Sequence, residues 1–160
     1  IKMTSNYSIQ DYNKDNMARI LGKDLSISAK KSIEVCNFLR HKSTKQAKII
    51  LENVIVKKQA VPFKRFKMEI PHRSPGLGPG KYPIKVAKEF LRLIKEVEAN
   101  AQNKGLDTNN LIFKTLVANK ASRPFHFGRQ RRTKMKRTHV EIVVQEKAKK
   151  EDKTKRPGKK

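Results

Sequence analysis

The chain is poor in several residue types, and each shortage excludes a class of protein or a kind of site. It has no tryptophan, one cysteine, and 14 acidic residues against 39 lysines and arginines. A lone cysteine excludes an internal disulfide framework and agrees with a reducing compartment. The acidic residues mostly stand beside lysines, so no pair of carboxylates suggests acid and base catalysis. With 36% hydrophobic residues, the 160 residues should fold as one domain around a modest core.

Long hydrophobic runs are also missing from the sequence. No apolar run approaches the ~20 residues that span a bilayer, and no signal-peptide pattern opens the chain. We therefore expect an intracellular, soluble protein that has no membrane partner.

What the chain has in excess is positive charge. The formal net charge is +25 at pH 7, and self-repulsion on that scale destabilises a compact fold unless a counter-charge is bound. Nucleic acid is the leading partner, because a membrane-surface protein would concentrate its lysines on one face of an amphipathic helix. Here the most helix-like segment, residues 83–106, is the most balanced in charge, while the loops and the C-terminal tail are the most basic parts.

Hydrophobic periodicity predicts an α+β domain with the order strand, helix, helix, helix, strand, strand. In the last strand Val140, Ile142 and Val144 share one face, with Glu141 and Gln145 on the other. The predicted elements are a strand at Met17–Leu25, a helix from Ser28 to about Arg40, a second helix after a Ser43–Gln46 capping box, a third between Pro83 and Gly105, and strands at Leu111–Ala118 and Thr138–Val144.

Residues 57–82 are predicted to form a long basic loop. Five of the seven prolines lie in the range from Pro62 to Pro83. The loop contains seven basic residues and one acidic residue, Glu69. This composition is typical of a loop packed on another surface rather than of a helix or a strand.

The most informative segment lies between the two C-terminal strands. Residues 108–140 contain nine lysines and arginines and no acidic residue. Such a segment has too little apolar area to fold on itself, so we expect two strands that carry a long basic excursion toward a polyanion. Phe125 and Phe127 flank His126 and can stack on RNA bases. Gly128 can provide either a bend near the tip or plain flexibility.

Motifs for other chemistry are weak. The run Gly76–Lys81 lacks the glycine spacing and the following Ser or Thr of a phosphate-binding loop, so a proline–glycine turn is the better interpretation. The four histidines are scattered without zinc-ligand spacing, so we expect neither a metal nor a cofactor. Cys36 shares the apolar stripe of the first helix with Ile33 and Leu39, which indicates an inert core thiol rather than a nucleophile.

Five short stretches, in their order along the chain, resemble one protein family. They are Ile27–Ser32, Gln59–Phe66, Ala99–Asp107, Gly128–Arg129 and Lys136–Val144. With these stretches the chain resembles the L-twenty-two family of large-subunit ribosomal proteins (L-seventeen in the eukaryotic naming), in its archaeal form. The stretches span nearly the whole of the predicted folded part, and their order and spacing make the resemblance specific.

The resemblance implies three helices on a three-stranded antiparallel sheet, with a long hairpin at about residues 111–145. It also implies a place in the large subunit, where the globular part lies near the polypeptide exit and the hairpin penetrates the rRNA. The loop at residues 57–82 belongs to the archaeal and eukaryotic branch and should contact rRNA or a neighbouring ribosomal protein. The hairpin tip, which would line the tunnel of the nascent polypeptide, corresponds to Phe127, Gly128, Arg129 and Gln130, in a stretch more aromatic than the family's usual tip.

We therefore expect a structural rRNA-binding protein, one copy per ribosome, without catalytic activity. A DNA-binding regulator and an RNA-modifying enzyme are the alternatives. The first needs a recognition helix, whereas the helices here are the least basic parts of the chain, and the second needs a catalytic constellation, which the sequence does not suggest. The expected organisation is an N-terminal extension at 1–16, one rRNA-binding domain at 17–146, and a basic disordered tail at 147–160. The residues expected to bind rRNA are Lys57, Lys58, Lys64, Arg65, Lys67, Arg73, Lys81, Lys120, Arg123, Phe125, His126, Arg131, Arg132, Lys134, Lys136 and Arg137.

Overall fold

Three antiparallel strands and three helices build the body of the protein in the computed structural model, which describes residues 7–9, 11–73 and 76–147. The tail expected at residues 147–160 lies outside this range except for its first residue. The elements in chain order are β1 (Met17–Leu25), α1 (Ala29–Leu39), α2 (Thr44–Ile55), β2 (Val61–Pro62), β3 (Gly80–Lys81), α3 (Ile84–Asn103), β4 (Leu111–Lys120) and β5 (Thr138–Glu146).

The main sheet has the strand order β1-β5-β4, with both neighbours antiparallel to β5. The predicted α+β class and the three-stranded sheet are confirmed. The valine-rich last strand lies in the centre of the sheet and has buried side chains on both faces. Val140, Ile142 and Val144 point into the core as predicted, but Val143 and Glu141 on the other face are buried as well.

The helices cover one face of the sheet. α3 packs on β1 and on α2, while α1 packs on β4. The core between them contains the fully buried side chains Phe90, Phe113, Leu51 and Ile142. Removing this apolar area from water supplies the main favourable free energy of folding, at about 25 cal/mol per Å².

The helix ends follow the expected signals with one exception. The Ser43 hydroxyl accepts a hydrogen bond from the Gln46 N–H and caps α2. Gly105, with φ +76°, ends α3 in a Schellman arrangement. Ser28 occupies the N-cap of α1, but its side chain makes no capping hydrogen bond. The first turn of α1 therefore keeps backbone N–H groups that its cap residue does not satisfy.

The basic loop contains a short ladder that periodicity did not predict. β2 and β3 pair in the register Val61 with Lys81 and Pro62 with Gly80, so the two ends of the loop meet. Val61 and Phe63 are buried against the core, and α1 is the helix that β2 contacts. The loop is thus packed on the body, as its composition indicated.

The described part of the N-terminal extension covers the outer face of the sheet. The Ser8 hydroxyl and N–H both donate to the Glu141 carboxylate, at 2.6 and 2.9 Å. The Arg19 guanidinium lies 4.2 Å from the ring centroids of both Tyr7 and Tyr12. Burial raises the pKa of the Tyr7 hydroxyl, against the opposing effect of the Arg19 charge. This packing explains why Glu141 is buried although it lies opposite the core.

Candidate nucleic-acid interface

β4 and β5 continue past the sheet as a paired hairpin. The regular ladder runs as far as Lys120 opposite Thr138. Beyond it the Ala121 N–H donates to the Arg137 carbonyl, and the His126 N–H donates to the Thr133 carbonyl at 2.9 Å. The two arms therefore remain hydrogen-bonded to each other from the last ladder pair as far as His126 and Thr133, next to the tip.

A tight turn closes the hairpin at the predicted tip. Gly128 has φ +67° and begins a short 3-10 turn at Gly128–Gln130. Since that φ favours glycine, the bend is a property of this position and not mere flexibility. Phe127 is 87% exposed and Phe125 is 57% exposed. The Lys134 ammonium lies 4.9 Å from the Phe125 ring centroid, so a cation and an aromatic face are presented together.

The basic side chains of the hairpin divide into exposed groups near the tip and groups held by backbone carbonyls at the base. Arg131, Arg132 and Lys134 are exposed near the tip. At the base, the Arg137 guanidinium donates to the Asp24 carbonyl at 3.1 Å, and the Arg123 Nε donates to the Met135 carbonyl at 3.4 Å. A guanidinium held by one carbonyl keeps other N–H donors in a fixed direction, which suits it to phosphate recognition.

The base of the hairpin and the start of α1 enclose a basic cleft of about 290 Å³. Five of its seven lining residues carry positive charge and none is acidic. The buried Thr138 hydroxyl donates to the Ile27 carbonyl at 2.9 Å and fixes one wall against the other. The lining residues are Ser28, Ala29, Lys30, Lys120, Arg123, Lys136 and Arg137.

The second predicted group of basic residues lies on the loop. Lys64, Arg65 and Lys67 are exposed and adjacent, while Lys57 and Lys58 lie apart, just after α2. The remaining loop cations, Arg73 and Lys81, lie by the β2–β3 ladder. The Arg73 Nε donates to the Gly80 carbonyl, and the Arg73 guanidinium lies 5.5 Å from the Tyr82 ring centroid. Lys81 is partly buried in β3.

Sequence reasoning missed two residues at this interface. Lys30 lines the cleft and also lies 5.7 Å from the Phe66 ring centroid, so it connects the hairpin base with the loop. A lysine in the first turn of a helix lies at the positive end of the helix dipole, where a positive charge is unfavourable. Its position there was visible in the sequence and could have indicated a role in binding. Glu34 is buried beneath the loop, and the helical period alone did not distinguish it from an exposed acid.

The groups considered for catalysis do not form a site. Burial raises the pKa of the Cys36 thiol to about 12, so it stays protonated at neutral pH and is a poor nucleophile. Among the residues that the structure describes, no group of three or more His, Cys, Asp or Glu side chains could hold a metal ion. Within the same residues, no helix has the length and apolar character required to cross a membrane.

A small α+β body carries a long hairpin, and residues 108–140 contain no acidic side chain, an architecture that suits contact with a polyanion through a projecting arm. Residues 20–145 match the family model described as ribosomal protein L22p/L17e. The chain therefore belongs to this family of ribosomal proteins, and the predicted resemblance is confirmed.

Individual relatives agree with the family match. The chain is 38% identical over 147 residues to the large ribosomal subunit protein uL22 of Methanosphaera stadtmanae, covering 88% of this chain and 96% of the relative. The protein of the same name from Staphylothermus marinus is 38% identical over 154 residues, covering 89% and 98%. That of Methanopyrus kandleri is 37% identical over 150 residues, covering 88% and 94%. These archaeal relatives agree with the predicted archaeal type, and a ribosomal protein of this family is not an enzyme.

Proposed function

We propose that this protein is a structural constituent of the large ribosomal subunit in the cytoplasm, present as one copy per ribosome, and that it binds rRNA. The observation that carries the proposal is the hairpin, which bears nine lysines and arginines between residues 108 and 140 without one acidic residue. Its arms stay hydrogen-bonded to each other as far as His126 and Thr133, so the charges beyond Lys120 are carried on a paired arm. The relatives' names, which place them in the large subunit, support the same conclusion.

Binding would combine charge neutralisation with stacking. Lysines and arginines contact phosphates and set the position of the protein, while exposed aromatic rings stack on unpaired bases. Phe125 and His126 supply rings on the hairpin, and the held guanidiniums of Arg123 and Arg137 supply oriented donors at its base. By bridging rRNA segments that repel one another, the protein would act mainly during subunit assembly, with residues 17–146 serving as the binding domain.

The tip has a separate proposed role, which rests on the family membership. Phe127, Gly128, Arg129 and Gln130 form the turn farthest from the body along the paired arms. A hairpin inserted through rRNA would bring this turn to the wall of the nascent-chain tunnel. The globular body would remain outside and contact neighbouring ribosomal proteins.

The salt dependence of binding tests the phosphate contacts. We expect the affinity of the free protein for rRNA of its own large subunit to fall by about 10³-fold or more between 50 and 200 mM salt, because each phosphate contact releases counterions. Filter binding across salt concentrations measures the slope. A nearly flat dependence of the affinity on salt would contradict the proposal. So would a native protein that is purified as a free dimer bound to promoter DNA and does not co-sediment with large subunits.

Crosslinking from the tip tests the tunnel role. A photoreactive amino acid in place of Phe127 should crosslink to a stalled, radiolabelled nascent chain in assembled ribosomes. The same amino acid in place of exposed Lys88, on α3 of the globular body, serves as the matched control and should give no such product. Equal crosslinking from both positions, or none from the tip, would show that the tip does not face the nascent chain.

A further inference from the structure

One buried carboxylate has no part in the core or in the hairpin. Glu34 lies in α1 beside the core residues Val35 and Cys36, and it is only 1% exposed. Its carboxylate accepts three successive backbone N–H groups of the basic loop. The Arg65 and Phe66 N–H groups donate to Oε1 at 2.8 Å, and the Lys64 N–H donates to Oε2 at 3.2 Å.

This arrangement decides the shape of the loop at residues 64–66. Three consecutive N–H groups can converge on one carboxylate only if the backbone curves around it. A buried charge persists only when its hydrogen bonds are made, so Glu34 and the curved backbone require each other. With the N–H groups directed inward at Glu34, the side chains of Lys64, Arg65 and Lys67 are all exposed.

The aromatic residue of the turn joins it to the start of α1. Phe66 is half-buried and packs on the core, and its ring centroid lies 5.4 Å from the Arg65 guanidinium and 5.7 Å from the Lys30 ammonium. Lys30 also lines the basic cleft at the hairpin base. The turn therefore exposes three cations, Lys64, Arg65 and Lys67, and the Phe66 ring links it to Lys30 of α1, which lines the cleft. These four cations are here called the clamp surface.

We propose that Glu34 is a positioning residue that builds the clamp surface as a second site for the RNA sugar-phosphate backbone, on the globular body beside the base of the hairpin. The inference rests on the proposed rRNA-binding function. It assigns RNA-related roles to Glu34, Phe66 and Lys30 through contacts that the structure shows. A negative charge thus serves to bind a negative ligand, because it fixes the backbone from which the cations project.

Replacing Glu34 with glutamine tests this role, with Glu141→Gln as the matched control. Both are buried carboxylates that accept backbone N–H groups of a loop or strap, since Glu141 accepts those of Ser8 and Ile9. Both substitutions remove one negative charge, so charge alone should strengthen RNA binding equally in the two variants. An amide can accept at one end only and places its NH₂ group against the N–H donors at the other.

We expect Glu34→Gln to bind rRNA about tenfold more weakly, with the log–log salt slope reduced in magnitude by about 2. Hydrogen exchange at the amides of residues 64–66 should accelerate in parallel. Glu141→Gln should lose protection at residues 8 and 9 and leave the rRNA affinity and the salt slope unchanged or slightly improved. Unchanged affinity of a folded Glu34→Gln would overturn the inference.

A second variant tests the clamp surface even if the Glu34→Gln protein does not fold. Alanine in place of Lys64, Arg65 and Lys67 together leaves the carboxylate and its N–H partners in place, and it should reduce the salt slope by about 2 to 3. If this variant binds like the wild type while hairpin variants bind weakly, the clamp surface is no RNA site but the proposed function stands. If neither group of variants affects binding, the proposed function itself fails.

Discussion

Replacing Arg131, Arg132 and Lys134 together with glutamate is expected to reduce incorporation of the protein into large subunits to background. The three side chains are exposed near the hairpin tip. The substitution removes three phosphate-binding groups and reverses their charge in a segment that we propose inserts between rRNA strands. Each lost charge-assisted hydrogen bond costs about 1.5–3 kcal/mol, so the affinity for rRNA should fall by about a thousandfold or more.

The comparison that isolates this effect uses Lys85, Lys88 and Lys95, which are exposed on α3. Their replacement with glutamate produces the same change in net charge on the least basic part of the fold. Incorporation is measured by sucrose-gradient sedimentation and quantitative blotting of the large-subunit peak. Normal incorporation of the tip variant would show that the globular body alone anchors the protein. An equal loss in both variants would show that only net charge matters.

Replacing Phe90 with alanine is expected to destabilise the fold by about 3–5 kcal/mol. Phe90 lies in α3, is fully buried, and belongs to the core between the helices and the sheet. Alanine leaves a cavity that the surrounding β-sheet cannot fill by relaxing. Domains of this size are stable by only about 5–15 kcal/mol, and a net charge of +25 lowers the stability of the free protein through self-repulsion. The variant should therefore unfold at a much lower urea concentration.

Phe125→Ala is the matched control for that measurement. The same ring is lost, but at a hairpin position that is 57% exposed, so the free energy of unfolding should change by about 0.5 kcal/mol or less. RNA binding should distinguish the two variants as well. The folded Phe125→Ala protein should bind RNA more weakly, because it loses an aromatic ring that would stack on RNA bases. Similar urea midpoints for Phe90→Ala and the wild type would mean that α3 does not carry the core as the structure indicates.

The elements with a strong hydrophobic period were predicted closely from the sequence. β1 begins and ends at Met17 and Leu25, as expected. The third helix lies between Pro83 and Gly105, as expected, and its apolar residues at helical spacing are buried, namely Val86, Phe90, Leu93, Ile94, Val97 and Ala101. Gly105 ends α3 because its positive φ is accessible to glycine without steric cost. The predicted strands of the hairpin each extend two residues further. β4 runs on to Lys120 at the start of the basic excursion, whereas β5 begins at Thr138 as expected and continues to Glu146 at the other end of the ladder.

The differences arise where a residue's environment comes from distant parts of the chain. Ile33 was expected on the buried stripe of α1 but is half-buried, while Glu34 next to it is buried. Glu141 lies on the side of β5 opposite the core and is buried because the N-terminal extension folds over it. In both cases a carboxylate accepts hydrogen bonds from N–H groups remote in sequence, 30 to 32 residues away for Glu34 and near the opposite end of the chain for Glu141. The local hydrophobic period carries no information about such partners.

The sequence by itself determined the order of helices and strands, the family, and the placement of a long basic hairpin between the last two strands. These properties follow from local periodicity and from charge, which are written along the chain. Only the tertiary structure decided that the loop at residues 57–82 curves around Glu34, that Lys30 connects this loop to the hairpin base, and that the tip closes in a tight turn at Gly128. The physical reason is that buried hydrogen bonds and converging like charges depend on distances between residues remote in sequence, which exist only once the chain has folded.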